Sequence, residues 1–236
     1  NRSWNILNWN VRGINSSDKW LAITQKIEES ATCIVCIQET KRELFDLAYL
    51  HKFCPQRFNK FEFLPYVGAS GGILIAWNGS YFNGELIFRN KFSLTVQFTC
   101  KTSHHSWVLT NIYGPYNQED KLEFIDWLNS IQMDIETEWI LMGDFNFIRS
   151  PEDMNKPGGD VNHMLLFNEA ISNLGLVELP LKGRQYSWSN MQDSPLLEKL
   201  DWIFTSAAWM TSFLDSTALP MAKPISDHIP CMIKIG

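Results

Sequence analysis

Positive charge is scarce in this sequence. It has 20 lysines and arginines against 26 aspartates and glutamates, a formal net charge of −6 over 236 residues. Long-range attraction to a polyanion needs positive potential, so composition alone argues against a protein that captures nucleic acid by its overall field. A local cationic groove is still allowed, because salt screens exposed charges beyond roughly 8 Å. A metal ion would add positive charge at one point. Cysteine is sparse too, with five residues, an odd number. Cys33 and Cys36 have C-x-x-C spacing inside the apolar run "CIVCI". No second Cys or His pair stands at zinc-finger spacing, so buried, reduced thiols are predicted. No apolar run approaches the ~20 residues of a membrane span, and no signal-peptide pattern opens the sequence. A cytosolic or nuclear setting without membrane contact is expected. Linkers, charge blocks and low-complexity tracts are also absent, which predicts a single domain over 1–236. The abrupt start at Asn1 and stop at Gly236 read as a domain taken from a longer chain.

What is present is a globular composition, 45% hydrophobic and 19% charged, which excludes a disordered chain. "SWNILNWN" alternates and reads as a strand. "SSDKWLAITQKIEES" reads as a helix, with Ser or Asp as cap. "CIVCIQET" reads as a buried strand that delivers Glu39 at its end, and 42–54 reads as helical. "GGILIAW", "KFSLTVQFTC" and "SWVLTNIYGP" are strands; the second alternates Phe92, Leu94, Val96 and Phe98 against polar residues. The order then recurs. A helix over "QEDKLEFIDWLNSIQMDI" is followed by the strand "WILMGDFNF", a Pro/Gly loop and the helix "NHMLLFNEAISNLGL". "RQYSWSN", "LEKLDWIFTS" and "DHIPCMIKIG" read as three further strands. The fold class predicted is α/β: two packed, mixed but mainly antiparallel sheets flanked by helices.

Polar residues stand where several of these strands end. Asp144 and Asn146, two apart on one strand face, fit either a turn cap or a shared pocket. Glu39 ends one strand and Asn10 another; each also has a plain surface or turn reading. "SDH", Ser226 to His228, is not a serine triad, because neighbours on a strand point apart and no G-x-S-x-G elbow exists. Asp227 and His228 do offer a carboxylate and an imidazole at one strand end. Asp201 in "KLDWIF" offers a carboxylate that fixes an imidazole's tautomer and stabilises its charge. Together these groups favour a pocket over four separate turns. Oxygen ligands without a Cys/His cluster favour Mg2+, or Mn2+, over zinc.

The ordered series "NWNVRG", "IQET", "NIYGP", "GDFN", "YSW", "LDWIF" and "SDH" resembles the endonuclease/exonuclease/phosphatase superfamily, from Asn10 to His228. It looks most like the endonuclease domain of plant LINE-type (non-LTR) retrotransposons. The resemblance implies a four-layer α/β sandwich with its active site at one edge, between the sheets. It implies that Glu39, assisted by Asn10, holds Mg2+. Asp144 would prepare the attacking water, with Asn146 beside it. His228 would stabilise the scissile phosphate, with Asp201 behind the imidazole. Asp227 would tune the metal site or the leaving oxygen. Tyr113 and Ser187 would donate to phosphate oxygens. Arg12, Lys41 and Arg42 read either as clamps on backbone phosphates or as solvated surface cations. Trp188 reads as a core residue or as a wall beside a bound strand. The implied partners are DNA and a reverse transcriptase domain of the same polyprotein. The implied activity is nicking of DNA to leave a 3′-hydroxyl. The alternatives are an abasic-site repair nuclease or phosphatase on the same fold, or a catalytically silent binding module. Trp202 departs from the pattern, since element endonucleases often have arginine there.

Overall fold

The structure, a computed structural model, describes residues 3–68 and 71–236. The first half runs β1 (Trp4–Asn10), α1 (Ser17–Ser30), β2 (Ile34–Gln38), α2 (Leu47–Leu50), β3 (Lys60–Leu64) and β4 (Ile73–Trp77). Then come β5 (Phe82–Asn90), β6 (Ser93–Cys100), β7 (Ser106–Tyr113), α3 (Gln118–Ser130) and β8 (Trp139–Asp144). The last part holds α4 (Val161–Asn173), β9 (Val177–Glu178), β10 (Trp188–Ser189) and β11 (Leu197–Glu198). It ends with β12 (Asp201–Thr205), α5 (Ala207–Ser212), β13 (Thr217–Pro220) and β14 (Cys231–Ile235). No helix among the described residues is long and apolar enough to cross a membrane. All five cysteines are free, and burial raises the Cys33 thiol to about 12.

Two six-stranded sheets result, ordered β13-β14-β1-β2-β4-β3 and β5-β6-β7-β8-β12-β9. Each has one parallel pair near its middle, β1 with β2 and β7 with β8; every other pairing is antiparallel. The parallel pairs follow from the helices between their strands, because a parallel neighbour needs a crossover and a hairpin cannot supply one. Helix α1 starts at Ser16, whose hydroxyl accepts from the Lys19 N–H, and stops at Ala31 in the left-handed region. The predicted helix over 42–54 shrinks to the single turn of α2. Asp46 caps it, accepting from the Tyr49 N–H at 2.7 Å, so the residues before Asp46 stay outside. "RQYSWSN" pairs over only Trp188 and Ser189.

Three apolar layers hold the elements together. Ile6, Cys36 and Ile75 of the first sheet meet Leu109, Ile140 and Met142 of the second between the sheets. Leu7, Trp9, Val35 and Ile37 pack outward on Ile23, Ile27 and Leu50 of α1 and α2. Val108, Ile112 and Leu141 pack outward on Phe124, Leu128 and Phe167 of α3 and α4. The order helix, sheet, sheet, helix is the four-layer sandwich.

Period-2 alternation then sets the chemistry of the interface. The residues facing the opposite sheet change along each central strand toward one end. They run Ile6, Asn8, Asn10 on β1; Cys36, Gln38 on β2; Leu109, Asn111, Tyr113 on β7; and Met142, Asp144 on β8. Below the rim, the buried Gln38 amide donates to Asn8 Oδ1 at 2.8 Å and, across to the other sheet, to Asn111 Oδ1 at 2.6 Å. Gly143 lets the chain reach this rim. Its φ is +142°, and a Cβ there would lie 2.0 Å from the Ile112 carbonyl oxygen on the paired strand. Gly143→Ala is therefore expected to lower the unfolding free energy by at least ~2 kcal/mol in urea titration, or to prevent soluble expression. An unchanged midpoint would contradict this account of the β7–β8 pairing.

Candidate active site at the seam of the sheets

The carboxyl ends of both parallel pairs open on the same edge, and register fixes what meets there. Asp144 lies directly between Tyr113 on β7 and Asp201 on β12. Across the seam, Asn10 ends β1 opposite Gln38, and Glu39 follows at once. The segment before β14 carries Asp227 and His228 to the same place. Ser226 anchors it by donating to the Asn10 carbonyl at 2.8 Å, and the Trp9 indole N–H donates to the His228 carbonyl at 3.2 Å.

Asp144 is 2% exposed. Its Oδ2 accepts from the Asn10 amide at 2.8 Å and lies 3.4 Å from His228 Nε2; its Oδ1 accepts from the Asn146 N–H at 3.0 Å. His228 Nδ1 is 2.8 Å from Asp201 Oδ2. An imidazole thus bridges two carboxylates in a buried place. Burial alone would lower the histidine's pKa, but Asp201, Asp144 and Asp227 outweigh it and raise the value to about 9. Burial is the largest influence on Asp144 and, with Asp201 adding to it, raises that carboxyl to about 7 against the pull of His228 and Asn10. The two groups titrate as a pair.

A cleft of about 450 Å³ opens onto this pair. Its walls include Arg12, Glu39, Tyr113, Asp144, Asn146, Trp188, Asp227 and His228. Eight of the sequence-level candidates thus share one cavity. Asn10 lies beneath it and reaches it through Asp144. Lys41 stands at the side, 3.1 Å from Glu39. Arg12 binds Asp227 and lies 3.9 Å from Glu39. Trp188 donates its indole N–H to Asp227 at 2.8 Å, which makes it part of the wall. Asp201 stands behind the His228 ring and does not line the cleft, and two further candidates sit elsewhere. Ser187 is buried, and its hydroxyl accepts from the Leu200 and Asp201 N–H groups, each at 3.0 Å, so it shapes the turn that presents Asp201. Arg42 stacks on the Tyr49 ring at 3.6 Å, toward the outer helices.

Strain is concentrated here. Arg12, Glu39, Lys41 and Asn146 have φ of 51°, 57°, 52° and 54°, a region non-glycine residues seldom adopt. Hydrogen bonds hold each of these turns. Gly13 N–H donates to the Glu39 carbonyl at 2.7 Å, Lys41 N–H to Gly71 at 2.8 Å, and the Asn146 amide to the Gly114 carbonyl at 2.8 Å.

Lys121 was not anticipated. It is buried, lines the cleft, lies 4.2 Å over the Phe147 ring and donates to the Asn146 carbonyl. A signal for it existed: Lys121 opens the apolar stripe continued by Phe124, Ile125 and Leu128 on α3, where a lysine needs a reason. Trp202 stays buried and donates its indole N–H to the Phe147 carbonyl at 2.8 Å. Lys199 and Arg149 lie over its ring, so cations remain near this position although it carries none itself.

Among the described residues, one cluster brings possible donors for a metal ion together. Asp144, Asp201 and His228 each offer one atom within 4.8 Å of the others. There both ring nitrogens face carboxylates, and the imidazole's own proton supplies the positive charge. Glu39 and Asn10, the pair that the family resemblance implies, offer carboxylate and amide oxygens, donor types that suit a hard cation such as Mg2+ or Mn2+, and Asn10 Oδ1 accepts from the Arg12 N–H at 3.0 Å. The two cationic side chains drawn to Glu39 show that this carboxylate attracts positive charge. Tyr113, which lines the cleft with Glu39, keeps its proton: burial and then the Glu39 and Asp144 charges push its pKa up.

The model of the family described as Endonuclease/Exonuclease/phosphatase matches residues 7–228. A comparison with curated proteins finds no match. Among solved structures, the AP endonuclease LMAP of Leishmania major is similar at 17% identity and TM-score 0.74, over 99% of this chain and 88% of that one. The endonuclease domain of TRAS1, a telomere-specific non-LTR retrotransposon, is similar at 13% identity and TM-score 0.71, over 99% and 98%. The TDP2 structure from D. rerio, complexed with single-strand DNA product, is similar at 16% identity and TM-score 0.64, over the full length of both. At these identities the likeness is one of fold.

The raised histidine has a measurable sign. Both shifts are upward from the unfolded values near 6.5 and 3.9, so the folded chain binds the extra protons. The His228 contribution to stability is complete below about pH 6.5 and lost as pH rises through about 9. The Asp144 shift also lowers stability as pH rises, between about 3.9 and 7. NMR titration of the ring is expected to report a pKa near 9 in the unmodified protein and a lower one in Asp201→Asn. Equal values in the two proteins would contradict Asp201 as the main cause of the raised histidine.

Proposed function

The chain belongs to the endonuclease/exonuclease/phosphatase family, and from that premise we propose that it is a Mg2+-dependent endonuclease that nicks one DNA strand and leaves a 3′-hydroxyl. The observation that carries this reading is the imidazole of His228 held between Asp201 and Asp144 at the floor of an open cleft. A phosphodiester is anionic and repels an attacking hydroxide. Hydrolysis therefore needs positive charge at the phosphate and a base at the water, both already oriented.

In this reading Asp144 accepts a proton from the attacking water, and Asn146 orients that water beside it. The imidazolium of His228 lies against the phosphate oxygens and stabilises the charge that grows there. Asp201 keeps the ring oriented. Tyr113 donates its hydroxyl to a phosphate oxygen, and Arg12 and Lys41 contact flanking phosphates. Trp188 holds Asp227 against the wall. Water attacks phosphorus, the bond to O3′ breaks, and O3′ takes up a proton to become the 3′-hydroxyl. The incoming hydroxyl remains on the 5′-phosphate. Glu39 and Asn10 would hold Mg2+, which when bound offsets negative charge at the phosphate and the leaving oxygen.

The finer assignment is to an endonuclease of a LINE-type element, supported by the motif series and by the likeness to the TRAS1 endonuclease domain. Residues 1–236 would then be one domain of a polyprotein, acting in the nucleus or cytoplasm. Its 3′-hydroxyl would prime a reverse transcriptase domain of the same chain.

Conversion of supercoiled to open-circular plasmid tests the proposal. With Mg2+ the protein is expected to nick undamaged DNA, to leave an end that a polymerase extends, and to stop in EDTA. Asp144→Asn and His228→Ala are expected to slow nicking at least ~10²-fold while remaining folded. Ionised Asp144 and protonated His228 together predict a rate that rises through about pH 7 and falls through about pH 9. Cleavage confined to abasic sites, or phosphate release from small esters without nicking, would replace this reading with a repair or phosphatase activity.

A further inference from the structure

The Arg12 guanidinium is wedged between two shielded carboxylates. It binds Asp227 Oδ2 through Nη1, and its Nε lies 3.9 Å from Glu39 Oε1. The carboxylate side chains are only 7% and 12% exposed, whereas the arginine side chain is 53% exposed. Its backbone is fixed in the left-handed region, with its N–H donating to Asn10 Oδ1 at 3.0 Å. The arginine is therefore bound to one proposed metal ligand through its backbone and close to the other through its side chain. The two side-chain contacts differ. The Asp227 contact is a direct charge-assisted hydrogen bond, supported by the Trp188 indole on the same oxygen. The Glu39 contact is long and purely coulombic.

Lys41 also faces Glu39, at 3.1 Å, but among the described residues it has no second carboxylate to hold it there once it leaves. Arg12 cannot leave so freely, because Asp227 retains it.

We infer that Arg12 is a resident counter-ion that a divalent cation must displace from Glu39, and that the displaced guanidinium, still tethered to Asp227, turns its free donors to a DNA phosphate. This rests on the reading in which Glu39 holds the metal. Without DNA, the ion and the arginine compete for one carboxylate, and metal affinity is held down. With DNA, a phosphate receives the guanidinium, and Glu39 is released to the ion. Metal and DNA then favour each other's binding, and by linkage the effect is reciprocal. The acidic chain thereby keeps a phosphate-binding cation in its cleft, neutralised internally until metal arrives.

Mn2+ binding, followed by electron paramagnetic resonance without DNA, tests this in the full chain and in Arg12→Gln, Arg12→Lys, Glu39→Gln and Arg12→Gln/Glu39→Gln. Circular dichroism confirms that each variant is folded. Arg12→Gln is expected to bind Mn2+ about tenfold more tightly than the unmodified protein, a ratio of one decade in Kd. Arg12→Lys, which keeps the charge, is expected to lie closer to the unmodified protein. Glu39→Gln is expected to lose the site in both backgrounds. Unchanged or weaker Mn2+ binding in Arg12→Gln, with the site still lost in Glu39→Gln, would overturn the exchange and leave Glu39 as a metal ligand. Binding that survives Glu39→Gln and disappears in His228→Ala would place the ion among Asp144, Asp201 and His228, and would overturn both.

Discussion

Buried charge at the seam between the sheets is the constraint on which the rest of the structure depends. Asp144 from one sheet touches Asn10 of the other and His228 from the segment before the last strand. A carboxylate this deep is strongly unfavourable unless partners surround it. Its partners come from positions 10, 146 and 228, so the chain must close both sheets before the group is satisfied. Beneath it, Gln38 and Asn111 make a second polar layer between the sheets. The apolar interior stops where the strands end, and these layers fix how the sheets are aligned.

The same change from apolar to polar along each central strand produces the site. Alternation places Ile6, Asn8 and Asn10 on one side of β1, and Met142 and Asp144 on one side of β8. Parallel pairing, imposed by the crossover helices, aims four of these ends at one edge. Register then puts Asp201 beside Asp144 with no further adjustment. Left-handed residues at 12, 39, 41 and 146 turn the chain sharply at the rim, and hydrogen bonds to neighbouring loops hold them there. Strain at such positions accompanies function because a relaxed turn would point the side chains elsewhere.

Much of this was legible in the sequence because its signals are local. The alternation in "KFSLTVQFTC", the cap before α1 and the polar residues closing each buried strand are written within a few positions of one another. Strands β3, β5 and β13 were not evident. In β5, Gly84 lies under the Trp77 ring and most other side chains are exposed, so the hydrophobic pattern is diluted. The helix expected over 42–54 failed because its residues read as periodic while the cap at Asp46 decides where the helix begins. Convergence of Glu39, Asp144, Asp201 and His228 was readable from strand order and motif order together. The Arg12–Asp227 contact was not, since it joins residues 215 positions apart and depends on loop geometry. Ser187 shows the same limit: the motif series implied a phosphate contact, and its hydroxyl instead accepts from the Leu200 and Asp201 N–H groups under the floor.

The central claim is that Asp144 and His228 are one interacting pair across the seam. A double-mutant cycle on Asp144→Ala and His228→Ala, with unfolding free energies from urea titration at pH 7, tests it most directly. Removing either partner takes an opposite charge away from the other in a buried place, while Asp201 still faces His228 and Asn10 still donates to Asp144. The double variant should therefore be more stable than the sum of single effects allows, by about 1–3 kcal/mol. Single effects that add to within about 0.5 kcal/mol would contradict the account.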